Sequence, residues 1–517
     1  MKTQRAQRWW ALAAVSLGVL AVGLDGTVLS VALPTLAKSL HASESDLQWF
    51  SSAYFLVLAA AMLPAGLLGD RYGHKRVLVI ALSLFGAGSV LCAFSTTVGE
   101  FLAARVLLGF AGAGVVVMAI SALTVLFTKE ERPKAVGIWA AANFLSLPIG
   151  PILGGWLLTN FWWGWVFLIN APIAVVGVIA LIALVPESRP LERPAIDLIG
   201  VTLSMAGLVA LTYGLITAGQ DGWSDPRALL AMIAGVVVLA GFFAWERHLT
   251  NRPGGRPLLD LSLFRSASFT WGVLLAAVAV LSMIGVLFTL PQYFQGVAGT
   301  DAMGSGLRLL PIIGGLVVGA IPAERVVRTI GAKLTAAAGF VLLSVGLSIG
   351  ATTAVGSSAL FVVIWMAVVG VGMGLALSTS TSAALVELSE ERSGVGSAVL
   401  QAVNKVGGPF GTAILGSVLS SIYLSRLALS GLPTAAATAV RQSVFGGVAV
   451  AQQLGSSALL HSVRTAFVDG MDAALLVSAG IALVGVVLTL LFLPRHNQLQ
   501  DTLQVNSVEE RPLVGIS

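Results

Sequence analysis

Long runs of apolar residues recur along almost the whole chain, each separated from the next by a short polar segment. Fourteen of them are long enough to cross a bilayer as an α-helix, which takes about 17–25 residues. They lie near residues 11–33, 50–69, 77–96, 99–127, 135–158, 165–185, 198–218, 229–246, 268–292, 304–323, 334–353, 358–380, 396–422 and 472–493. The pattern predicts an all-α integral membrane protein with fourteen transmembrane helices.

Composition supports a lipid rather than an aqueous environment. Hydrophobic residues make up 57% of the chain and charged residues 10%, and the mean hydropathy is +0.93. Soluble domains carry about 25% charged residues, so a water-soluble fold could not bury this much apolar surface. The net charge of +5 does not indicate a nucleic-acid partner, because no basic stretch alternates with aromatic residues.

The basic residues predict how the chain is oriented in the membrane. If the N-terminus lies in the cytoplasm, most Lys and Arg residues fall in cytoplasmic segments, as the positive-inside rule requires. The outside segments then hold Lys38, Arg227, Arg426, Arg441 and Arg464, and the spans hold Arg105, Arg308 and Lys405. This bias predicts an even number of spans in the cell membrane, with both termini in the cytoplasm.

The N-terminal apolar run, from Ala11 to Leu33, follows a basic segment as a signal peptide would. It is too long for the apolar part of a signal peptide, so we interpret it as an uncleaved first span.

Several classes of membrane enzyme and pump are disfavoured by the residues present. The histidines, which are His41, His74, His248, His461 and His496, all fall in predicted loops or tails. No intramembrane histidine pair is available for a metal or a hydrolytic site, and Cys92 is the only cysteine. No GxxxxGK[ST] phosphate loop occurs. We therefore expect a protein that is not an enzyme, that needs no cofactor or metal, and that uses an ion gradient.

Four motifs in the N-terminal half resemble the signature set of the major facilitator superfamily. They are LDGTVLSVALPTL at 24–36, GLLGDRYGHKR at 66–76, RVLLGFAGAG at 105–114 and SLPIGPILGGWL at 146–157. More narrowly, the set resembles the fourteen-span drug:proton antiporter branch. The resemblance implies two pseudo-symmetric six-helix bundles that rock about a central cavity, and it says nothing about the identity of the substrate.

The 66–76 loop joins the second and third predicted spans. The resemblance implies a cytoplasmic gate made by Gly66, Asp70, Arg71, Gly73, Lys75 and Arg76. Its glycines allow close helix approach and a tight turn, and its charged pair can engage a neighbouring helix end. An ordinary charged turn would also satisfy the pattern, and His74 stands where the family usually has Arg.

Asp25 is the only carboxylate well inside a predicted span of the N-terminal half. Burial favours the protonated form of a carboxyl group, whereas a nearby Arg favours the carboxylate, and Arg105 is buried in the fourth predicted span. Movement of Arg105 relative to Asp25 would therefore change proton affinity, and the resemblance assigns proton coupling to both residues. A static ion pair and a binding site for a cationic drug remain open alternatives.

Gly150, Pro151, Gly154 and Gly155 should bend and thin the fifth predicted helix. The resemblance links this motif to antiport, and a tolerated kink is the alternative.

In the C-terminal half, residues 320–333 look like a degenerate copy of the 66–76 loop, with Glu324, Arg325, Gly331 and Lys333 at corresponding positions.

These features predict a domain organisation. Residues 1–196 form an N-terminal six-helix bundle, 197–247 two inserted helices, 248–493 a C-terminal six-helix bundle, and 494–517 a cytoplasmic tail. The C-terminal bundle includes a long outside segment, 423–471, which could form surface helices or an irregular loop; the helical spacing of Leu460, Val463, Phe467 and Met471 favours surface helices.

Polar and aromatic residues at the middle of predicted spans are candidates for a substrate cavity between the bundles. They are Trp139, Asn143, Tyr293, Trp365, Gln401, Asn404 and Lys405. Relatives that expel dicationic drugs tend to carry extra acids in the thirteenth span, whereas LQAVNKVGG at 400–408 has a base instead. A neutral, zwitterionic or anionic amphiphile is therefore a plausible substrate, unless Lys405 snorkels or pairs with an acid such as Asp25.

Together these observations predict a monomeric, proton-coupled exporter of small amphipathic compounds such as antibiotics, dyes or biocides. Its partners would be the substrate, protons and membrane lipids, with no nucleic acid. The alternatives are a lipid or fatty-acid exporter, a proton-coupled importer, and a sensor or scaffold that has lost transport. The buried charges argue against the scaffold, since it would not need them.

Overall fold

A computed structural model describes residues 2–127, 131–187, 197–252, 257–259, 261–386, 390–429 and 431–494. These residues contain helices and no strands. The α-helices are α1 (Lys2–Ser39), α2 (Glu44–Tyr72), α3 (His74–Ala93), α4 (Val98–Leu126), α5 (Arg132–Asn160), α6 (Trp165–Leu168), α7 (Asn170–Leu184), α8 (Leu198–Asp221), α9 (Pro226–Asn251), α10 (Ala267–Gln292), α11 (Ala302–Arg308), α12 (Leu310–Gly350), α13 (Ala359–Val386), α14 (Glu390–Arg426), α15 (Thr434–Gln442), α16 (Val444–Gln453) and α17 (Ser457–Phe492). The segment predicted as a cytoplasmic tail, 494–517, lies outside the described residues from 495 onward.

Within the described residues, 11 helices are long and apolar enough to cross a membrane. One of these candidate spans, Ala302–Gly350, has 49 residues and contains a break in helical geometry at Gly331. The all-helical membrane fold is therefore confirmed, whereas the count of fourteen crossings stays a prediction.

The helices form two packed groups. In the N-terminal group, α1 packs against α5, α7 and α4, while α2 and α3 both pack against α4. In the C-terminal group, α10 packs against α13, α14 and α17, and α12 packs against α13 and α17. Small residues allow these close approaches: a Cβ on Gly339 would lie 2.5 Å from the backbone nitrogen of Ala376.

The helices α8 and α9 pack on one another and join the two groups at their side, because α8 contacts both α14 and α2. Ser417 of α14 donates a hydrogen bond to the carbonyl of Leu215 in α8, at 2.6 Å. At the other end of the pair, the backbone N–H of Leu259 donates to the buried carboxylate of Glu246 at 3.0 Å. The α8–α9 pair is thus bound to the rest of the protein at both ends.

The segment 423–471, for which the sequence favours surface helices over a loop, is largely helical. It holds α15 and α16, and α17 begins at Ser457 rather than near the predicted residue 472. The reason is an N-cap: the Ser456 hydroxyl accepts a hydrogen bond from the N–H of Leu459 at 3.2 Å. Tyr423 holds α15 and α16 against the end of α14 by donating to the carbonyl of Val440 at 2.8 Å.

Two tight turns occupy corresponding places in the two groups. Gly73, between α2 and α3, has φ 104°, and Gly331, within α12, has φ 84°. Both values lie in the region that glycine adopts easily and other residues rarely adopt. The degenerate repeat at 320–333 therefore shares the turn of the 66–76 loop. In this repeat, Glu324 pairs with Arg328, one helical turn further on, at 2.5 Å on an exposed surface.

We expect Gly73→Ala to destabilise the folded protein by about 1–3 kcal/mol, because the new Cβ would be held at a strongly disfavoured φ. Thermal unfolding of the purified protein in detergent measures the effect. Gly99→Ala is the matched control, since a Cβ on Gly99 meets no atom within 4 Å and its φ is not positive. Equal melting temperatures for the two variants would contradict the expectation.

Candidate functional site

A cavity of about 290 Å³ lies between the two helix groups. Helices α1, α2 and α5 form one side of it, and α10, α12, α13 and α14 form the other. The wall on the C-terminal side is largely apolar and includes Met283, Ile284, Leu287, Phe288 and Leu316. A mostly apolar cavity with a few polar groups suits a small amphipathic ligand.

The polar part of the lining comes from a limited set of side chains. Three of the residues predicted from the sequence are among them: Gln401, Asn404 and Lys405 of α14 all line the cavity. Opposite them lie polar residues that sequence reasoning missed, namely Thr27, Ser30, Ser51 and Ser146. Isolated Ser and Thr residues in apolar helices gave no signal that separates a cavity lining from helix packing.

The other predicted cavity residues lie elsewhere. Trp365 is 0% exposed and packs against Gly350, whose Cβ would lie 2.9 Å from the indole. Tyr293 donates a hydrogen bond to the carbonyl of Ala354 at 3.2 Å. Trp139 is buried and is not part of the lining, and the side chain of Asn143 lies outside the described residues. Large aromatic residues here fill helix contacts, so the prediction that these aromatics line the cavity is corrected.

Asp25 and Arg105 form an ion pair inside the N-terminal group, with 2.5 Å between the Arg105 Nη1 and Asp25 Oδ2 atoms. Both side chains are 0% exposed. The Arg105 Nε atom also donates to the carbonyl of Phe50 at 3.1 Å. One oxygen of Asp25 and one nitrogen of Arg105 have no hydrogen-bond partner within the described residues. The hydrogen-bonding capacity of the pair is therefore incompletely satisfied within the described residues.

Tyr54 separates this ion pair from the cavity. Its ring lies 4.4 Å from the Arg105 Cζ atom, and its hydroxyl donates to the carbonyl of Val22 at 3.0 Å. Tyr54 lines the cavity, whereas Asp25 is not among the residues lining it. A ligand in the cavity consequently meets the aromatic ring rather than the carboxylate. This arrangement argues against Asp25 as a direct binding site for a cationic drug.

We expect Tyr54→Ala to make Asp25 reactive toward dicyclohexylcarbodiimide, a hydrophobic reagent that modifies buried carboxyl groups. Removing the ring opens a path from the cavity to the carboxyl group, whereas Tyr54→Phe keeps the ring and loses only the hydrogen bond to Val22. Peptide mass spectrometry measures the modified fraction of Asp25. A modified fraction that is the same in the Ala and Phe variants would contradict the role of the ring as a barrier.

The glycines of the fifth-helix motif allow two close helix contacts. A Cβ on Gly150 would collide with the Thr27 hydroxyl of α1, and one on Gly154 would lie 2.8 Å from Val28. The Thr27 hydroxyl donates to the carbonyl of Ser146 at 2.9 Å, which is possible only because α1 and α5 lie so close.

Gly155 makes the second contact, which joins the two helix groups. A Cβ there would lie 2.8 Å from the carbonyl oxygen of Ala302 and from the Cα atom of Met303, both in α11. The contact is equally close on the α11 side, since a Cβ on Gly306 would collide with the carbonyl of Pro151 in α5. The motif therefore places the backbones of α5 and α11 in direct contact.

Further contacts between the groups lie at the end of the molecule where α1 ends and α2 begins. Gln292 of α10 donates to the buried carboxylate of Glu44 at 3.2 Å, and Gln295 donates to the carbonyl of Val31 at 3.1 Å. This end is the predicted outer side, so these contacts and the α5–α11 contact join the two helix groups there. Sequence reasoning missed Glu44, because an acid in the first turn of a helix is a common capping pattern.

The 66–76 loop lies at the opposite end of the N-terminal group. Lys75 donates to the carbonyl of Ile182 at 2.7 Å, and Arg76 pairs with Glu187 at 3.5 Å, so both bind the end of α7. Arg71 is exposed, with its Cζ atom 5.6 Å from the ring of Tyr72. The side chain of Asp70 lies outside the described residues. A Cβ on Gly66 would make ordinary contact with α4. Whether the loop acts as a gate stays a prediction.

Comparison with known proteins adds to these observations. The chain is 31% identical over 498 residues to the tetracenomycin C resistance and export protein of Streptomyces glaucescens, covering 94% of this chain and 92% of the relative. It is 33% identical over 498 residues to the multidrug efflux pump LfrA of Mycolicibacterium smegmatis, covering 92% and 96%.

Solved structures agree in fold. A bacterial homolog of the human lysosomal transporter Spinster matches with a TM-score of 0.68 at 14% identity, covering 94% of this chain and 96% of that one. A D-xylose-proton symporter matches with a TM-score of 0.60 at 15% identity, covering 94% and 98%. The family model of the Major Facilitator Superfamily matches residues 15–412. This chain is therefore a multi-pass membrane protein that belongs to the Major Facilitator Superfamily, which points to transport rather than catalysis.

Proposed function

We propose that this protein is a proton-coupled exporter of small amphipathic compounds that works by alternating access. One observation carries the proposal: the buried Asp25–Arg105 pair lies directly behind one wall of the cavity between the two helix groups. Burying a charge in a membrane costs at least about 2.5–3.5 kcal/mol, so such groups are retained for function. The export and resistance names of the relatives support the direction of transport.

Proton exchange at Asp25 would follow from its contact with Arg105. While the guanidinium is close, the carboxylate form is favoured; when it moves away, burial favours the protonated form. Because Tyr54 touches both the cavity and Arg105, a ligand that displaces the ring would shift the position of the guanidinium. Substrate and proton could thereby influence one another without sharing a binding group.

The proposed topology has fourteen crossings in the cell membrane, with both termini in the cytoplasm. Besides the 11 candidate spans, α2 and α5 have 29 residues each. The break at Gly331 divides one of these 11 spans, Ala302–Gly350, into two crossings, which brings the number to fourteen. The membrane would then surround a monomer that needs no cofactor.

The membrane potential supplies enough energy for this cycle. Moving one charge through 100 mV provides about 2.3 kcal/mol, which supports a gradient of roughly fiftyfold for a neutral compound. A pH difference adds to this value.

Transport by the purified protein in liposomes tests the proposal. With the inside of the vesicles made acidic, a fluorescent amphipathic dye should accumulate through proteins whose cytoplasmic side faces outward, and a protonophore should abolish the accumulation. Accumulation that persists with the protonophore would overturn proton coupling. Movement of substrate and protons in the same direction would identify an importer instead.

A further inference from the structure

The geometry points to an anion-binding position in the central cavity, where Lys405 receives the acidic group of an aromatic amphiphile. This inference rests on the proposed function, because it names the chemical class that the same cavity would transport. Three features of the cavity support it: the charged group among its described lining residues, the position of Asp25, and the groups next to Lys405.

Lys405 is the one ionisable Lys, Arg, Asp, Glu or His side chain among the described residues that line the cavity. It lies on α14, and no ion pair or hydrogen bond of its ammonium group occurs within the described residues. An ammonium group in a largely apolar cavity is poorly solvated and gains most from an opposite charge. The cavity therefore favours a ligand that supplies an anion.

Asp25, the acid that the sequence offered as a partner for Lys405, is already engaged. Asp25 lies behind Tyr54, holds Arg105 at 2.5 Å and does not line the cavity. The pairing of Lys405 with Asp25, which the sequence left open, does not occur in this structure. A cationic ligand would meet Lys405 without a compensating acid in the lining, so like-charge repulsion would weaken its binding.

The residues next to Lys405 complete a site for an aromatic compound that carries an acidic group. The ring of Phe55 lies 5.8 Å from the Nζ atom, and Gly408 leaves room beside that ring. Asn404, one residue before Lys405, also lines the cavity, and its buried Oδ1 atom has no hydrogen-bond partner within the described residues. A free amide oxygen can accept a hydrogen bond from a ligand hydroxyl. An aromatic compound with one acidic and one hydroxyl group would satisfy all three side chains.

A set of probes that share one ring system tests this inference. Pyrenebutyrate, pyrenebutanol and pyrenebutyl-trimethylammonium carry the same ring on a short alkyl chain, and their head groups are anionic, neutral and cationic, respectively. Binding of each to the purified full chain in nanodiscs is measured by fluorescence at neutral pH, with empty nanodiscs as the correction for partition into lipid. The wild type should bind the carboxylate at least about tenfold more tightly than the ammonium compound, a difference of ~1.4 kcal/mol.

Variants then assign the preference to Lys405. Lys405→Gln should remove the preference while binding of pyrenebutanol remains, which shows that the cavity is folded. Lys405→Glu should reverse the preference, and Lys405→Arg should keep it. Lys38→Gln is the matched control, because Lys38 lies at the end of α1 near Phe445 and outside the cavity lining.

Two outcomes would overturn the inference: equal or tighter binding of the ammonium compound by the wild type, or a head-group preference that Lys405→Gln leaves unchanged. Binding at equilibrium needs no pH gradient, so the result is independent of proton coupling. Transport of the uncharged pyrenebutanol under a pH gradient tests the proposed function separately. Loss of that transport in Lys405→Gln with an unchanged preference would assign Lys405 to proton transfer and reject the anion site.

Discussion

Asp25→Asn is expected to reduce transport driven by a pH gradient by at least about a hundredfold, equivalent to ~2.7 kcal/mol. The amide cannot release a proton, so the variant would have no step at which the gradient acts. Exchange of labelled for unlabelled substrate across the membrane should continue, because exchange needs no net proton movement. The two rates are measured in liposomes with the same protein preparation.

The variant will also be less stable, and the design has to separate this effect from lost coupling. Removing one partner of a buried ion pair costs about 3–5 kcal/mol, because the Arg105 charge is left without its partner. If Asp25→Asn still exchanges labelled for unlabelled substrate, the variant is folded. Asp469→Asn is the matched control: Asp469 pairs with Arg426 at 3.7 Å on an exposed surface, where such pairs contribute about 0–1 kcal/mol.

A wild-type rate of gradient-driven transport in Asp25→Asn would contradict the assignment of proton coupling to this residue. Loss of both gradient-driven transport and exchange, in protein that elutes as a single folded species, would instead indicate a structural role for the ion pair.

Gly155→Leu is expected to prevent closure of the cavity on its outer side and to reduce net transport by about a hundredfold or more. Any side chain at this position meets backbone atoms of α11 at 2.8 Å, and backbone cannot move aside as a flexible side chain can. The N-terminal and C-terminal helix groups would have to move apart at this contact to make room for the leucine side chain. An equilibrium between two conformations shifts tenfold for every 1.4 kcal/mol, so a severe clash leaves the closed form almost unpopulated.

Cysteine labelling measures this shift directly. Ser30→Cys places a reporter in the cavity lining, and the single native cysteine, Cys92, is buried. In intact cells, a membrane-impermeant maleimide should label the reporter at least about tenfold faster in Gly155→Leu than in the parent. Gly306→Leu should act in the same way, because it blocks the same contact from α11.

Gly314→Leu is the matched control for both variants. A Cβ on Gly314, in α12, meets no atom within 4 Å, so the same enlargement should leave labelling and transport unchanged. If Gly155→Leu is labelled at the parental rate and still transports, the α5–α11 contact is not required for closure. If Gly155→Leu fails to reach the membrane, Gly155→Ala introduces a smaller clash at the same contact, and its labelling rate is compared with that of the parent in the same way.

Much of the architecture could be predicted from the sequence because lipid simplifies the problem. A backbone surrounded by hydrocarbon has to satisfy its own hydrogen bonds, so long apolar runs become helices almost regardless of their detailed composition. The same rule made Asp25 and Arg105 conspicuous, since charges within apolar runs are rare. The turn at Gly73 was predictable too, because only glycine adopts its φ readily.

Hydropathy could not resolve where a helix begins or which way its side chains face. The N-cap at Ser456 extends α17 well beyond the predicted span, and Trp365 and Tyr293 fill helix contacts instead of the cavity. Almost every face of these helices is apolar, because lipid and protein interior both accept such residues. Periodicity therefore carries little information about which face meets the cavity.

The sequence by itself determined the helical membrane fold, the family motifs and the two buried charges, because each depends on local residue type or on the length of an apolar run. Only the tertiary structure decided that Asp25 contacts Arg105 behind the ring of Tyr54, that Gly155 meets α11, and that Lys405 lines the cavity with no acidic residue beside it among the described lining residues. These relations join residues far apart in the chain, and they depend on how the helices rotate and pack, which the order of residues does not state.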